Sequence, residues 1–130
     1  MCIRDRLPTT QLREFIQERN LVEDPETHER QLKIYADNGK VRFGDNAVEM
    51  GSRCWQTYTI KPNDPLSAHA EYEWEWEFGR GDSWQIKTLT RTELHSDEEN
   101  FYLESEVTAW EHEIQIYNRT ESQRFKRDHY

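Results

Sequence analysis

At 130 residues the chain is one domain's worth of polypeptide. Hydrophobic residues make up 34% of it and charged residues 33%, and 17 Lys+Arg against 26 Asp+Glu leave a net charge of −9. That balance argues against a non-specific nucleic-acid binder and against docking on anionic lipid, both of which need a basic surface. No apolar run approaches the ~18 residues of a membrane span.

The polarity invites a disordered reading, but 5 Trp, 6 Tyr and 5 Phe with only 5 Gly and 4 Pro do not fit one. Each aromatic ring buries a large area, so even a thin core is adequate. Cys2 and Cys54 are too few for a disulfide framework, and no CxxC or clustered His/Cys spacing suggests zinc. With no leader pattern at the start, two free thiols in a reducing, cytoplasmic compartment are the expectation.

Residues 1–6 fit nothing that follows and read as an adapter or scar joined to a truncated frame. Residues 7–28 read as a linker with a short helix, Thr10 to Arg19, with Leu12, Phe15 and Ile16 on one face and Thr10 as N-cap. From residue 29 to 130 the period is two, and the expected class is an all-β antiparallel β-sandwich, jelly-roll-like and incomplete. Asn38-Gly39 between two alternating runs predicts a hairpin pairing Ala36 with Val41 and Ile34 with Phe43. The run Cys54 to Lys61 is followed by a stop, Pro62-Asn63-Asp64-Pro65.

Ala68 to Phe78 carries the clearest pattern. Ala68, Ala70, Tyr72, Trp74, Trp76 and Phe78 alternate with His69, Glu71, Glu73, Glu75 and Glu77. One face of this strand is apolar and the other wet. A five-residue loop, 79–83, pairs Trp76 with Ile86 and sets Glu75 and Glu71 against Lys87 and Arg91. Pairing Leu94 with Phe101 sets Arg91 against Glu104, and pairing Ala109 with Ile114 sets Glu104 against Arg119. The result is a meander of four long strands after about three shorter ones. Thr88, Thr90, Thr92, Ser105, Asn118, Thr120 and Ser122 then lie on the inner face, where unpartnered hydroxyls are costly, so that stretch is expected to meet a polar loop, another domain or solvent.

Candidate chemistry is sparse. Alternate glutamates at 71, 73, 75 and 77 lie about 6.5–7 Å apart on a strand, the separation of an inverting glycosidase pair. Nothing apolar covers them to make an acid, so a solvated face paired to Lys87 and Arg91 is the expectation. His28, His69, His95, His112 and His129 show no ligand spacing. Ser67, Ser83 and Ser96 sit in turn contexts without a Gly-x-Ser-x-Gly elbow. Arg80-Gly81-Asp82 reads as turn chemistry, and Asn118-Arg119-Thr120 is a glycosylation sequon placed mid-strand. Trp74 and Trp76 read as core before sugar platform.

One resemblance is specific. Tyr58-Thr59-Ile60-Lys61-Pro62-Asn63-Asp64-Pro65-Leu66-Ser67-Ala68 resembles the Y-(S/T)-I-x-P-x-D-P-L-S-A segment of CocE/NonD-type hydrolases, the acyl-esterase and Xaa-Pro dipeptidyl-peptidase (S15-type) serine hydrolases. Phe78-Gly79-Arg80-Gly81-Asp82-Ser83-Trp84 resembles their G-R-G-D-W turn with Ser83 inserted. Phe125-Lys126-Arg127-Asp128-His129 resembles their I-P-R-D-x ending, with Lys126 where Pro is usual. Weaker similarity reaches back to about Gln17.

The resemblance implies an N-terminal α/β-hydrolase domain with a Ser-Asp-His triad, a helical cap, and a C-terminal jelly-roll sandwich of which this chain is the later part. No position here matches a triad residue, so it implies no catalytic, cofactor or metal residue in the chain. Its partner is the hydrolase domain. With the early strands missing, the sheet is expected to expose edges, one apolar face and a tendency to self-associate. The alternative is a self-standing ligand binder, a small barrel or sandwich with Trp74, Trp76 and Trp84 inward; a carbohydrate-binding sandwich rests on Trp stacking alone.

Overall fold

The computed structural model describes residues 8–44 and 46–128, and the stretch 1–6, Cys2 and His129 lie outside them. Every regular element is a strand: β1 (Thr9–Arg13), β2 (Ile16–Glu23), β3 (Arg30–Phe43), β4 (Glu49–Lys61), β5 (Asp64–Arg80), β6 (Trp84–Ser96), β7 (Asn100–Glu111) and β8 (Ile114–Lys126). They form one antiparallel sheet in the order β1-β3-β4-β5-β6-β7-β8, with β2 on the same edge of β3 as β1. The all-β antiparallel class expected from the alternating pattern is therefore present. No helix long and apolar enough to cross a membrane occurs among the described residues.

The expected helix from Thr10 to Arg19 is absent; the segment is β1 and β2, an edge strand broken at Glu14 and Phe15. Three apolar residues at helical spacing make a stripe only where a surface takes it up. Leu12, Phe15 and Ile16 instead stay exposed, and the open backbone edge of β3 supplies a ladder of hydrogen bonds. The 7–28 segment thus joins the sheet.

The hairpin at Asn38-Gly39 is also corrected. β3 runs through it, and Ala36 pairs with Cys54 while Val41 pairs with Met50. Gly39 does adopt positive φ, at 86°, but spends it on a bulge between Asp37 and Lys40. A Cβ there would lie 2.8 Å from the carbonyl oxygen of Arg13, so the bulge and the edge strand fit together only around glycine. The chain reverses later, where Phe43 N–H bonds to Val48 O at 2.9 Å and Val48 N–H to Asn46 Oδ1 at 3.0 Å. At the next corner only Pro62 and Asn63 turn, and Pro65 falls in an irregular stretch of β5 where it interrupts no regular pairing.

Across β5, β6 and β7 the expected parity holds and the register moves by two. Trp76 faces Thr88, Phe78 faces Ile86, Leu94 faces Leu103 and Arg91 faces Glu106. Tighter loops cause this, since pairing continues to Arg80 with Trp84 and to Ser96 with Phe101. On β8 the faces are exchanged relative to expectation. A bulge between Ala109 and Trp110 sets Ala109 against Tyr117 and Val107 against Arg119. Asn118, Thr120 and Ser122 therefore leave the apolar face, whereas Thr88, Thr90, Thr92 and Ser105 remain on it.

Candidate functional site

Strand alternation gives the sheet two unlike faces. One carries Leu32, Ile34, Cys54, Tyr58, Trp74, Trp76, Phe78, Ile86, Leu94, Leu103 and Val107 in register across β3 to β7. Among the described residues only Ala36 and Cys54 are buried apolar ones. Trp76 and Trp84 are each 37% exposed, Leu94 42% and Leu21 71%, because no second layer lies over them among the described residues. At one end this face forms an open groove of about 500 Å³ lined by Leu21, Leu32, Tyr58, Ile60, Leu94 and Phe101. Its length from β2 to β7 makes it a property of the whole sheet rather than of one loop.

Along β5 the rings of Tyr72, Trp74, Trp76 and Phe78 stack on one another with centroids 5.9 Å apart at each step. Successive ring planes lie 12–30° from parallel, so each ring turns a flat side toward its neighbour along the strand. That geometry suits packing against an apolar layer better than stacking on a sugar.

The opposite face is built from charge. Asp37, 3% exposed, lies at the β3 bulge between two guanidinium groups. Arg13 Nε is 2.6 Å and Arg53 Nε 3.1 Å from its Oδ2, and Gly39 N–H donates to its Oδ1 at 2.9 Å. The Arg13 N–H aims poorly along the short line to Asp37, so that contact is chiefly electrostatic. Arg13 also reaches Glu77 at 3.0 Å, and Arg53 reaches Glu75 at 3.4 Å. Burial opposes the charge on Asp37, but the guanidinium groups of Arg13 and Arg53 and the Gly39 N–H outweigh it and hold its carboxyl below the usual carboxylate range. Burial likewise opposes the charge on Arg13, and its bonds to Asp37 and Glu77 outweigh that and raise its pKa. Further along, Arg91 Nη2 lies 2.7 Å from Glu71 and 2.6 Å from Glu93, with Glu73 at 3.8 Å from Nε.

Each of the four alternating glutamates of β5 therefore has a cation, and the face is a set of interlocked ion pairs rather than an acid opposed to a base. Arg91 sits against Glu71 as expected, reaching it diagonally; its second acid is Glu93, in place of the expected Glu104. Lys87 faces Glu77 instead of Glu75 and lies over the ring of Trp110. Arg119 pairs with Glu121 on its own strand.

The remaining candidates fall into local roles. His69 stacks on His95 across β5 and β6, with centroids 6.2 Å apart, and His95 stacks on Tyr102 at 5.1 Å. The sequence register had not placed these histidines together. His28 and His112 occupy turns at positive φ. Among the described residues no group of three or more His, Cys, Asp or Glu is placed to hold a metal ion. Ser67 Oγ donates to Asp64 O at 2.6 Å, Ser83 Oγ donates to Arg80 O at 2.9 Å, and Ser96 Oγ accepts from Arg127; none of the three bonds to a histidine. Arg80-Gly81-Asp82 forms the β5–β6 corner, where Gly81 takes a φ of 54°. Asn118 lies in β8 and donates to Thr108 Oγ1 at 3.0 Å. Cys54 is buried and free.

The Arg13–Asp37–Arg53 knot was hidden from the sequence by two misplaced elements. A helix at Thr10–Arg19 carries Arg13 away from β3, and a turn at Asn38-Gly39 carries Asp37 away from β4. Comparison of the chain with protein-family models, with curated proteins and with solved structures finds no match.

Proposed function

We propose that the chain is a non-catalytic accessory β domain of a CocE/NonD-type serine hydrolase, with ester or Xaa-Pro peptide hydrolysis carried out by an α/β-hydrolase domain outside this sequence. The observation that carries the reading is the bare apolar face. Eleven strand positions from Leu32 to Val107 converge on it with nothing opposite among the described residues, and an uncovered apolar face of this extent marks a surface made to be covered. The charged face, by contrast, is already satisfied by its own side chains. In this reading the sheet is one layer of a β-sandwich. Its sequential strand order, without a Greek-key crossover among the described residues, departs from the jelly-roll order expected. The segments that resemble the family map to coherent places: Tyr58–Ala68 to the β4–β5 corner, Phe78–Trp84 to the β5–β6 corner, and Phe125 onward to the end of β8.

Co-expression with an α/β-hydrolase and cap fragment of a CocE/NonD-type enzyme tests the proposal. The expected result is a stable complex in which binding of an apolar dye to the sheet is lost. The purified chain alone is expected not to hydrolyse a p-nitrophenyl ester. Hydrolysis sensitive to a serine-directed inhibitor, or failure to bind the fragment, overturns the proposal.

The second reading, a self-standing ligand-binding barrel or sandwich, has the groove of about 500 Å³ in its favour. Against it, β8 does not pair with β1 or β2, so the sheet is open.

A further inference from the structure

We propose that β8 is a self-association edge, on which two copies of this chain pair antiparallel about a two-fold axis through Thr120. The inference rests on the backbone edge of β8 and on Arg119 and Glu121, which stand across from Val107 and Ser105 on the side of the sheet that carries the apolar face. β8 is a 13-residue strand, Ile114–Lys126, exposed along its whole length, and among the described residues its outer side has no strand partner. Such a row of free N–H and C=O groups is a template for another strand.

Geometry restricts which strand. A two-fold axis normal to the sheet sets one residue of β8 opposite its own copy, so register is defined by that central residue. Thr120 is the midpoint of the strand, and centring there pairs the regular stretch Tyr117–Gln123 with its own copy, short of the extra residue that β8 carries at Ile116. The same register sets Arg119 opposite Glu121 of the second copy, twice. Arg119 and Glu121 already share a side of β8 and contact each other, so the dimer closes an alternating ring of four charges. Asn118 then faces Ser122, Tyr117 faces Gln123, and no like charges oppose one another. Centring on Asn118 or Ser122 forms no ion pair.

The opposite edge offers less. β1 and β2 are interrupted at Glu14 and Phe15, and the register of β2 that forms an ion pair, Arg19 with Glu23 about Leu21, pairs only five residues. The longer regular stretch of β8 beyond its bulge is the better template.

Sedimentation equilibrium of the full chain over a range of concentrations reads the association. The expected behaviour is a monomer–dimer equilibrium that Arg119→Glu or Glu121→Arg each weakens by about tenfold. The doubly reversed variant, R119E with E121R, restores the dimer, because the ring is rebuilt with signs exchanged. Far-UV circular dichroism checks that each variant keeps its strands, and either single reversal serves if the other misfolds. A chain that stays monomeric, a dimer indifferent to the reversals, or a double variant no tighter than the singles overturns the proposal. So does a dimer that survives Arg119→Glu and dissolves on Leu94→Lys, since that places the contact on the apolar face.

Discussion

The two faces of the sheet are made from the same strands and differ in what completes them. On the charged face the acids of β5 are answered from within: Glu77 by Arg13, Glu75 by Arg53, and Glu71 and Glu73 by Arg91. On the apolar face the large side chains touch cross-strand neighbours and remain open above, with Trp76 at 37% and Leu94 at 42% exposure. Direction explains the contrast. Ion pairs act within the plane, and long guanidinium side chains reach laterally across strands about 4.7–4.9 Å apart. Apolar burial needs a second layer about 10 Å away, which no side chain of the same sheet can supply. A single sheet therefore finishes its polar side alone and leaves the other for a partner.

The largest test of this comparison is Asp37→Ala. Removing the carboxylate leaves Arg13 and Arg53 facing each other, partly buried and without their common partner. Stranding charge in this way costs about 3 kcal/mol, a large share of the stability of a domain with so thin a core. Urea unfolding followed by tryptophan fluorescence is expected to show that loss. A change under about 1 kcal/mol means that the knot is not where the charged face is secured.

Titration sharpens the same point. Asp37 has a folded-state carboxyl below its ordinary value of 3.8, so its ion pairs stabilise the fold fully above that value. This contribution disappears as pH falls through the lower folded value, because the unfolded chain takes up the proton more readily. Between about pH 4 and pH 2 the urea midpoint of the native chain is expected to drop more steeply than that of Asp37→Asn. Glu49 and Asp97 are also held low, by Arg42 and by the Tyr102 hydroxyl respectively, and both variants retain them. The difference in slope thus belongs to Asp37.

The knot also marks the limit of what alternation reveals. From Ala68 to Phe78 the two faces could be assigned residue by residue, and parity carried that assignment correctly through β6 and β7. Loop length decides register, and Arg80–Trp84 and Ser96–Phe101 pair closer to the corners than a generic loop allows. At Ala109–Trp110 one unpaired step exchanged the faces of β8, and a bulge has no marker in a period-two pattern. At Asn38-Gly39 a type I′ reversal needs positive φ at both residues, whereas Gly39 alone adopts it, and the bulge makes that single demand on glycine. The bare apolar face was legible in advance from β4 to β7, where alternation puts most large apolar positions on one side, although Trp55, Leu89 and Trp110 stand on the other.

A smaller effect is expected at Arg91→Gln. Arg91 answers Glu71 and Glu93 and faces Glu73 and Glu106 across its two neighbours, so its loss leaves four carboxylates without a central cation. Its side chain is half exposed, and water screens much of the repulsion. The expected loss is about 1 kcal/mol at low ionic strength, shrinking toward zero in 1 M salt, where the screening length is about 3 Å. Urea midpoints at the two salt concentrations read the difference. A loss independent of salt means that Arg91 acts through the packing of its stem and not through its charge.

The smallest effect belongs to the apolar face, and its smallness is the informative outcome. Leu94 lines the groove and lies between Ala70 and Leu103 on one surface of the sheet. In the uncovered sheet Leu94→Gln changes little burial, and its urea midpoint is expected to stay within about 0.5 kcal/mol of the native chain while apolar-dye fluorescence falls. In complex with a covering domain the same substitution places an amide in a closed apolar layer and weakens binding by about tenfold or more. A stability loss of about 2 kcal/mol or more in the isolated chain shows Leu94 already buried in solution, and the contrast between the two faces then fails at its apolar side.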